Sequence, residues 1–581
     1  MPQNIKNTYT KNEAISWPIP NYWDALALVL VLGVIVILAL GAGEMAGHYE
    51  IGDQIPISLN PQYLPYYALR SVIRILIALL CSLLFTFTVG TLAAKNRHAE
   101  RILIPMIDIL QSVPVLGYLS FTVVGFLALF RGSMLGPECA CIFTIFTAQV
   151  WNMTLSFYQS LRSVPEDLQE AAAIFRLSAW QKFWRVEVPF AMPGLLWNAM
   201  LSMSGSWVFL MLSESITVAH QNITLQGIGS YTALAISQAN MAAIVYAIIA
   251  MFVVIFLYDQ LLFRPLVAWA EKFKAEDSAS EIEAQSWVLD LFQRADFFQF
   301  IAGYLNLVGD AIVNVKFFRR RKKNTAVEKV FLWQKCLAVM WNVILYGAIL
   351  TALGILYRFI YSEVPLSQIL HVIYLGSITA TRVFVMILLS SIIWVPIGVL
   401  IGLNPRASQI VQPIAQFLAA FPANLLFPVA AILIVRYHLN ANVWTSPLMI
   451  LGTQWYILFN VIAGTTAIPQ NFKMAVSTLQ VRGWLWWRKL ILPAIFPYYI
   501  TGVITAAGGA WNISIYSEAV TWGNIQLHAV GLGAYITEVS QQGNFSDIAL
   551  GITVMSLFVV LVNRCVWRPL YNLAERRYQI R

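Results

Sequence analysis

Long apolar blocks alternate with short polar segments along the chain. Twelve apolar runs are each long enough to cross a bilayer as a helix, which takes about 20 residues. Six of these runs lie in each half of the chain, so we predict a bundle of six transmembrane helices for each half. The whole chain is predicted to be an all-α membrane protein of about 12 spans. The runs lie at about 23–43, 67–93, 102–130, 138–160, 190–212 and 240–262, and at about 335–361, 374–402, 410–435, 442–465, 494–516 and 546–566.

A polar segment separates the two halves. Residues 271–330 carry acidic residues from Glu271 to Glu283 and end with the basic run Arg319–Lys323. We therefore predict three domains, a first membrane domain (1–270), a linker (271–330) and a second membrane domain (331–581).

Lys and Arg concentrate in alternate loops. Lys95, Arg97 and Arg101 lie between spans two and three, whereas 44–65 and 213–239 contain neither residue type. Because basic loops stay on the cytoplasmic side, both termini and the linker are predicted to be cytoplasmic.

One part of the linker is apolar enough to resemble a further span. Segment 297–315 also contains Asn306, Asp310 and Asn314, which are costly in hydrocarbon. An interfacial amphipathic helix is the preferred interpretation. A thirteenth crossing, which would invert the second half, is the alternative.

The composition agrees with a membrane protein. Of the 581 residues, 59% are hydrophobic and 11% charged, against about 25% charged in soluble domains. A soluble enzyme and a nucleic-acid-binding protein are thereby excluded, and the net charge of +9 follows from the basic loops. The five Cys and six His show no spacing typical of a disulfide framework or a metal site.

The two halves of the chain repeat each other. Arg74 recurs 308 residues later as Arg382, and after a four-residue deletion the offset becomes 304. Rare residues hold this register, so we infer a duplication. An even number of spans gives both copies one orientation and allows a two-fold axis along the membrane normal, where matched residues would face each other and a pathway would lie. Matched pairs include Arg74 and Arg382, Trp207 and Trp511, and Glu214 and Glu518.

The loop between spans four and five predicts a short cytoplasmic helix. Pro165 precedes Glu166, Asp167 and Glu170, and Ala171 and Ala172 follow. Proline suits a helix start, and the helix dipole favours acids in the first turn. The small alanines would allow another surface to approach closely. The alternative is a loop that merely joins two spans.

This loop resembles the EAA motif of the membrane subunits of bacterial ABC importers, in which Glu-Ala-Ala, a Gly four positions after the second Ala and a later Leu-Pro recur. The chain from Arg74 to Pro265 looks more narrowly like the permeases for nitrate, taurine and alkanesulfonates. The resemblance implies two tandem six-helix type I importer domains, with this loop as the coupling helix that sits in a groove of the ATP-hydrolysing subunit. Carried over by position, the coupling residues are Glu170, Ala171, Ala172 and Arg176 in the first copy and Met474, Ala475, Val476 and Gln480 in the second.

Two positions depart from the motif. Arg176 and Gln480 stand where Gly is expected, so the tight turn that Gly permits must be made otherwise. Met474 replaces the Glu, which predicts that the two halves dock unequally.

The chain contains no G-x-x-x-x-G-K-[ST] sequence, so it is not expected to be the ATPase. The resemblance implies two ATP-binding partner subunits in the cytoplasm that carry ATP and Mg, and a periplasmic or lipid-anchored solute-binding protein. No cofactor, catalytic residue or metal is expected on this chain, and no nucleic-acid partner.

Charged and aromatic side chains within the spans are candidates for the pathway. Arg74 and Arg382 are expected to pair with Glu214 and Glu518, either as a ring of charge that guides an anion or as structural pairs between spans two and five. Trp207 and Trp511 lie in span five and form either an aromatic gate or part of the core. The Gly-rich segments that begin at Gly227 and Gly531 are candidate re-entrant segments that contact a binding protein.

The predicted function is that of the permease subunit of an ATP-driven importer in the bacterial inner membrane. It would move a small solute, an anion such as nitrate, bicarbonate or a sulfonate, by alternating access. The alternative is an ion-coupled secondary transporter, which would need intramembrane carboxylates or broken helices near the midplane, and no obvious cluster of them is evident. A membrane enzyme would need a catalytic constellation, and none is evident.

Overall fold

The computed structural model describes residues 21–43, 55–218, 221–273, 286–314 and 364–578, with a few isolated positions between 347 and 358. Nearly all of these residues are helical, which confirms the predicted all-α class. Two short antiparallel hairpins also occur, one in each copy.

The first copy consists of helices of very different lengths, because prolines and polar turns interrupt the apolar runs. In chain order they are α1 (Tyr22–Gly43), α2 (Leu64–Phe85), α3 (Thr91–Lys95), α4 (Arg97–Ser112), α5 (Val115–Leu129), α6 (Leu135–Arg162), α7 (Glu166–Ile174), α8 (Ala179–Lys182), α9 (Val188–Ser213), strands β1 (Ser215–Val218) and β2 (Gln221–Thr224), α10 (Ile228–Ser237), α11 (Met241–Tyr258) and α12 (Arg264–Ala270).

The linker and the second copy continue this order. The linker contains α13 (Trp287–Arg294) and α14 (Asp296–Asn314). The second copy contains α15 (Leu366–Leu403), α16 (Pro405–Ala420), α17 (Phe427–Arg436), α18 (Ala441–Trp444), α19 (Ser446–Leu451), α20 (Gln454–Thr466), α21 (Gln470–Thr478), α22 (Gly483–Trp486), α23 (Leu492–Ser517), β3 (Ala519–Trp522), β4 (Ile525–His528), α24 (Leu532–Gln542), α25 (Phe545–Val562) and α26 (Arg568–Tyr578).

Local irregularities recur at the predicted offset and support the duplication. A π-helical turn at Phe183–Glu187 has its counterpart at Trp487–Ile491, and one at Asp259–Phe263 has its counterpart at Asn563–Trp567. The hairpin β1–β2 likewise corresponds to β3–β4. Such turns are uncommon in helices, so their shared register is informative.

The described residues contain six helices long and apolar enough to cross a membrane, or up to nine spans if each bent helix pair counts as one. The chain is thus a multi-pass membrane protein, while the count of 12 and the cytoplasmic termini stay predictions. The predicted span at 335–361 lies almost entirely outside the described residues. The six helices are Pro61–Lys95, Leu135–Arg162, Met241–Ala270, Leu366–Leu403, Gly483–Ser517 and Phe545–Ala574.

The predictions of continuous spans at 102–130 and 410–435 are wrong. Helix α4 ends at Ser112 and α5 begins after Pro114. In the second copy α16 ends before Pro422, and the pair Pro405–Ala420 and Ala423–Arg436 is bent by 75°. Proline disfavours helical backbone in the residue before it, which explains both of these breaks. The predicted span at 442–465 is also broken, because the pair Ala441–Leu451 and Gln454–Thr466 is bent by 46°.

The helices group into two compact units. The first consists of the described residues within 1–40, 163–196 and 258–322, and the second of those within 41–162, 197–257 and 323–581. In the second unit α15 packs against α20 and α23. Fully buried Val372, Ile457, Ala506 and Met555 belong to the core there.

In the first unit the linker helix α14 contacts the loop between spans four and five. Arg185 pairs with Asp310 at 3.3 Å, and the Trp180 indole donates a hydrogen bond to the Ile312 carbonyl at 3.2 Å. No residue of α14 is buried, and α14 is not among the six long apolar helices. The helix predicted at 297–315 is therefore confirmed, and these contacts favour a surface helix over a thirteenth span.

Candidate functional site

A buried cluster of four charges joins three helical segments of the first copy. Arg70 and Arg74 come from α2, Glu138 from α6, and Glu214 follows α9; all are at most 1% exposed. Arg74 Nε lies 2.6 Å from Glu138 and its Nη1 2.7 Å from Glu214, while Arg70 lies 3.0 Å from Glu138. Two positive and two negative charges make the cluster neutral. Neutrality matters because a buried charge without a partner is strongly destabilising.

Glu214 also fixes the start of helix α10. Its carboxylate accepts hydrogen bonds from the Gly229 backbone N–H at 2.7 Å and from the Ser71 hydroxyl at 2.6 Å. A Cβ at Gly227 would overlap this carboxylate, and one at Gly229 would overlap the Met211 carbonyl. The helix dipole favours an anion at this end. Glycine is therefore required by the close approach of the backbone.

The second copy repeats this arrangement with one ion pair instead of two arginines and two glutamates. Arg382 lies 3.0 Å from Glu518, and Glu518 accepts from Thr379 at 2.8 Å and from the Gly533 N–H at 2.7 Å. At the 304 offset Asn442 replaces Glu138, and at the 308 offset Ile378 replaces Arg70. The second cluster therefore has one charge fewer of each sign, so it is neutral as well.

These contacts favour the structural alternative for the Arg and Glu positions. Each Arg pairs with the Glu of its own copy, and not with a residue of the other copy across an axis. The glycine segments at Gly227 and Gly531 are held by buried carboxylates, and helix α10 begins with the buried residues Ile228 to Thr232. Contact of these glycines with a binding protein therefore gains no support.

The loops between spans four and five form matching exposed helices. Helices α7 and α21 both begin after a proline, Pro165 or Pro469. In the first copy Glu170 is exposed, Ala171 half-buried and Ala172 buried; in the second, Met474 and Ala475 are exposed and Val476 is half-buried.

The turn after each helix adopts the conformation that glycine favours, although neither residue there is glycine. This corrects the expectation that the turn is made in another way. Arg176 has φ 48° and Gln480 has φ 51°, both in the left-handed region. The Arg176 N–H donates to the Ala173 carbonyl at 3.0 Å, and Gln480 donates to Ser477 at 3.1 Å. The turn of the motif is thus made at the same positions, at a cost of about 1–2 kcal/mol per non-glycine residue.

Two apolar side chains that the sequence did not single out stand at the ends of these helices. Phe175 is 77% exposed and Leu479, its counterpart, is 74% exposed. Singly exposed apolar residues are ordinary, so the pair shows only that each loop helix ends at an exposed apolar side chain. The repeat offset, which relates the two positions, is the signal that could have found them.

Trp207 and Trp511 are 1% and 2% exposed and lie in the interior of α9 and α23. The Trp511 ring centroid lies 6.3 Å from that of Phe558. Both positions fit the core alternative. Neither lines the central cavity, a space of about 160 Å³ in the second unit that is lined by residues of both copies.

The central cavity was not foreseen from the sequence. Its walls combine small, aromatic and neutral polar residues, and none of its described lining residues is charged. They include Gln111, Trp151, Asn152, Ser202, Gly205, Thr453, Tyr456, Thr505, Gly508 and Asn512. Among the described residues no group of three or more His, Cys, Asp or Glu is placed to hold a metal ion.

A family model described as the binding-protein-dependent transport system inner membrane component matches the chain twice, at residues 86–264 and 394–578. Together these matches cover more than half of the chain. The chain belongs to this family. The second match begins 308 residues after the first, which is the offset that relates Arg74 to Arg382. The first match contains the loop helix α7 together with the buried Glu138 and Glu214, and the second contains α21 together with the buried Glu518.

Curated relatives are permeases of solute transport systems. The chain is 30% identical over 186 residues to the bicarbonate transport system permease protein CmpB of Synechococcus elongatus. It is 28% identical over 185 residues to the nitrate import permease protein NrtB of Leptolyngbya laminosa. Each match covers 32% of this chain and 64% or 63% of the relative, so the chain spans somewhat less than two thirds of these relatives.

A third relative is named for a different kind of solute. The trimethylamine N-oxide transport system permease protein TmoV of Pelagibacter ubique is 28% identical over 218 residues, which are 38% of this chain and 28% of TmoV. The family as a whole therefore does not define the solute.

Proposed function

We propose that the chain is the permease subunit of an ATP-driven ABC importer and carries both membrane domains of the transporter on one polypeptide. It moves a small anion across the bacterial inner membrane by alternating access. The observation that carries this proposal is the double family match, each copy of which contains a surface helix at the position of the coupling loop.

Exposure of the loop helices supports a docking role. Helix α7 presents Glu166, Asp167 and Glu170 to solvent, and the apolar Phe175 stands at its end. A mixed apolar and charged surface of this kind suits contact with a folded partner. In the proposal that partner is an ATP-binding subunit, and closure of two such subunits around ATP moves the loop helices and switches access.

The two docking surfaces differ in charge. Helix α7 contains three acidic residues and no basic one, whereas α21 contains Lys473 and no acidic residue. Electrostatic complementarity mainly sets specificity and association rate. We therefore propose two cytoplasmic ATP-binding partners that carry ATP and Mg and meet unlike surfaces. A periplasmic or lipid-anchored binding protein delivers the solute.

Nitrate and bicarbonate are the proposed substrates because the permeases NrtB and CmpB carry these names. Both are small monovalent oxyanions. The ion-coupled alternative is not favoured. Broken helices, one of the features that it would need, do occur, as in the pair Pro405–Ala420 and Ala423–Arg436. However, Glu138, Glu214 and Glu518 are each engaged by an arginine, and no unpaired cluster of carboxylates occurs among the described spans.

The test is purification from native membranes followed by reconstitution. ATP-binding subunits should co-purify, and proteoliposomes containing the complex and its binding protein should accumulate labelled nitrate or bicarbonate only with ATP. Uptake driven by an ion gradient, in a preparation without any nucleotide-binding subunit, would refute the proposal.

A further inference from the structure

The central cavity is lined by buried polar atoms that have no hydrogen-bond partner within the described part of the chain. Trp151 Nε1, Ser202 Oγ and Thr453 Oγ1 have no hydrogen-bond partner among the residues that the structure describes, and all three residues line the cavity. Ser202 is 2% and Thr453 4% exposed. Buried polar groups without partners are rare and costly, and an unpartnered set in one cavity indicates a ligand or water.

All three atoms are able to donate. The indole nitrogen is a donor only, and each hydroxyl carries one hydrogen. A neighbouring amide pair, in which Gln111 Nε2 donates to Asn152 Oδ1 at 2.9 Å, adds amide hydrogens to the same wall. A solute rich in acceptors satisfies such a wall, whereas a quaternary ammonium group does not.

The donors come from both copies, but not from equivalent positions. Ser202 and Trp151 belong to the first copy, and Thr453 to the second. At the repeat offset Ala506 stands in place of Ser202, and Gln149 in place of Thr453. One asymmetric site between the copies therefore replaces the two symmetric sites that duplication alone would produce.

Small residues keep the space open. A Cβ on Gly508 would meet no atom within 4 Å, although Gly508 lines the cavity. Glycine destabilises the interior of a helix relative to alanine, so neither packing nor helix stability requires glycine at position 508. Its lack of a side chain leaves additional space in the cavity, which a solute could occupy.

We propose that the central cavity is the transit site for a small oxyanion, held by the Trp151, Ser202 and Thr453 donors without any cationic side chain. Neutral donors compensate part of the hydration that the anion loses, yet leave it free to depart, because transport requires binding that is weak enough to release the ion. This inference rests on the proposed function and adds the place and the chemistry of solute contact.

The first experiment measures binding without transport. The solubilised complex should gain thermal stability with nitrate or bicarbonate, since a ligand that binds only the native state stabilises it, and glycine betaine should give no such gain. Gly508→Leu should abolish the gain by filling the cavity. Gly125→Leu is the matched control, because a Cβ on Gly125 also meets nothing within 4 Å while Gly125 lies outside the lining.

The second experiment measures uptake in proteoliposomes. Ser202→Ala and Thr453→Val should each lower uptake of the preferred anion about tenfold, the effect of losing one hydrogen bond to a charged group, with the ATP-binding subunits still attached. ATP-dependent uptake by the native chain, with unchanged uptake in both hydroxyl variants and in Gly508→Leu, would overturn the transit site and leave the proposed function standing. Stabilisation by betaine alone would overturn the oxyanion assignment. Failure of the native complex to use ATP would instead overturn the proposed function.

Discussion

The charge clusters of the two copies differ at two positions, and two substitutions would convert the first cluster to the residues of the second. Arg70→Ile and Glu138→Asn install there the residues that stand at 378 and 442 in the second copy. Each single change leaves a net buried charge, whereas the double change restores neutrality. We therefore expect strong coupling between the two substitutions.

The contacts set the size of the effect. Glu138 accepts three hydrogen bonds, at 3.0 Å from Arg70 and at 2.6 and 2.8 Å from Arg74. Breaking a buried pair by removing one partner costs about 3–5 kcal/mol, because the other charge stays buried. The single variants should sum to about 6–10 kcal/mol. Replacing both partners is often close to neutral, so the double variant should cost less than about 3 kcal/mol.

The assay is the free energy of unfolding of each variant, from denaturant titration in mixed micelles, combined in a double-mutant cycle. The exposed pair Arg185 and Asp310, 43% and 63% exposed, provides the control: Arg185→Ile and Asp310→Asn should each cost less than about 1 kcal/mol and show little coupling. If the losses at Arg70 and Glu138 simply add, the neutrality of the cluster is not what stabilises it.

Three further changes test the loops and the core. Glu170→Lys together with Ala171→Asp should reduce ATP-driven uptake more than about tenfold while the chain still reaches the membrane; unchanged uptake would remove α7 from the coupling contact. Arg176→Gly should raise the free energy of unfolding by up to about 1 kcal/mol, because glycine adopts positive φ without strain; a loss of stability in the same titration would contradict this. Trp511→Ala should lower stability by about 3–5 kcal/mol through the cavity it leaves. If Trp511 were a gate, the variant would instead leak ions while its free energy of unfolding stayed at the native value.

Much of the fold follows from sequence periodicity and from the repeat. Long apolar runs predict helices whatever their partners are, and the 308 and 304 offsets relate the hairpins, the π-helical turns and the loop helices of the two copies. The broken spans were missed because hydropathy does not register a proline inside an apolar run. Pro114 and Pro422 are the signal that would have located both breaks.

The candidate site was only partly predictable. The pairing of Arg74 with Glu214 follows from the cost of a lone charge in a membrane. Glu138 could not be assigned, because nothing in the sequence tells which helix faces α2. The central cavity depends on which face each helix turns toward its neighbours, and neutral residues such as Ser202 and Thr453 carry no signal of their own in a sequence.

Duplication within one chain lets the halves diverge under different constraints. The charge clusters differ by one arginine and one glutamate together, Arg70 and Glu138, because a difference of only one of them would leave a net buried charge. The exposed loop helices carry no such penalty, and their charges differ in sign without compensation, with three acids in α7 and Lys473 in α21. Within the membrane both charge clusters are therefore neutral, whereas the exposed loop helices of the two copies present surfaces of opposite charge. The asymmetry in charge that a fused chain permits thus lies in exposed helices, where no burial penalty constrains the sign of a side chain.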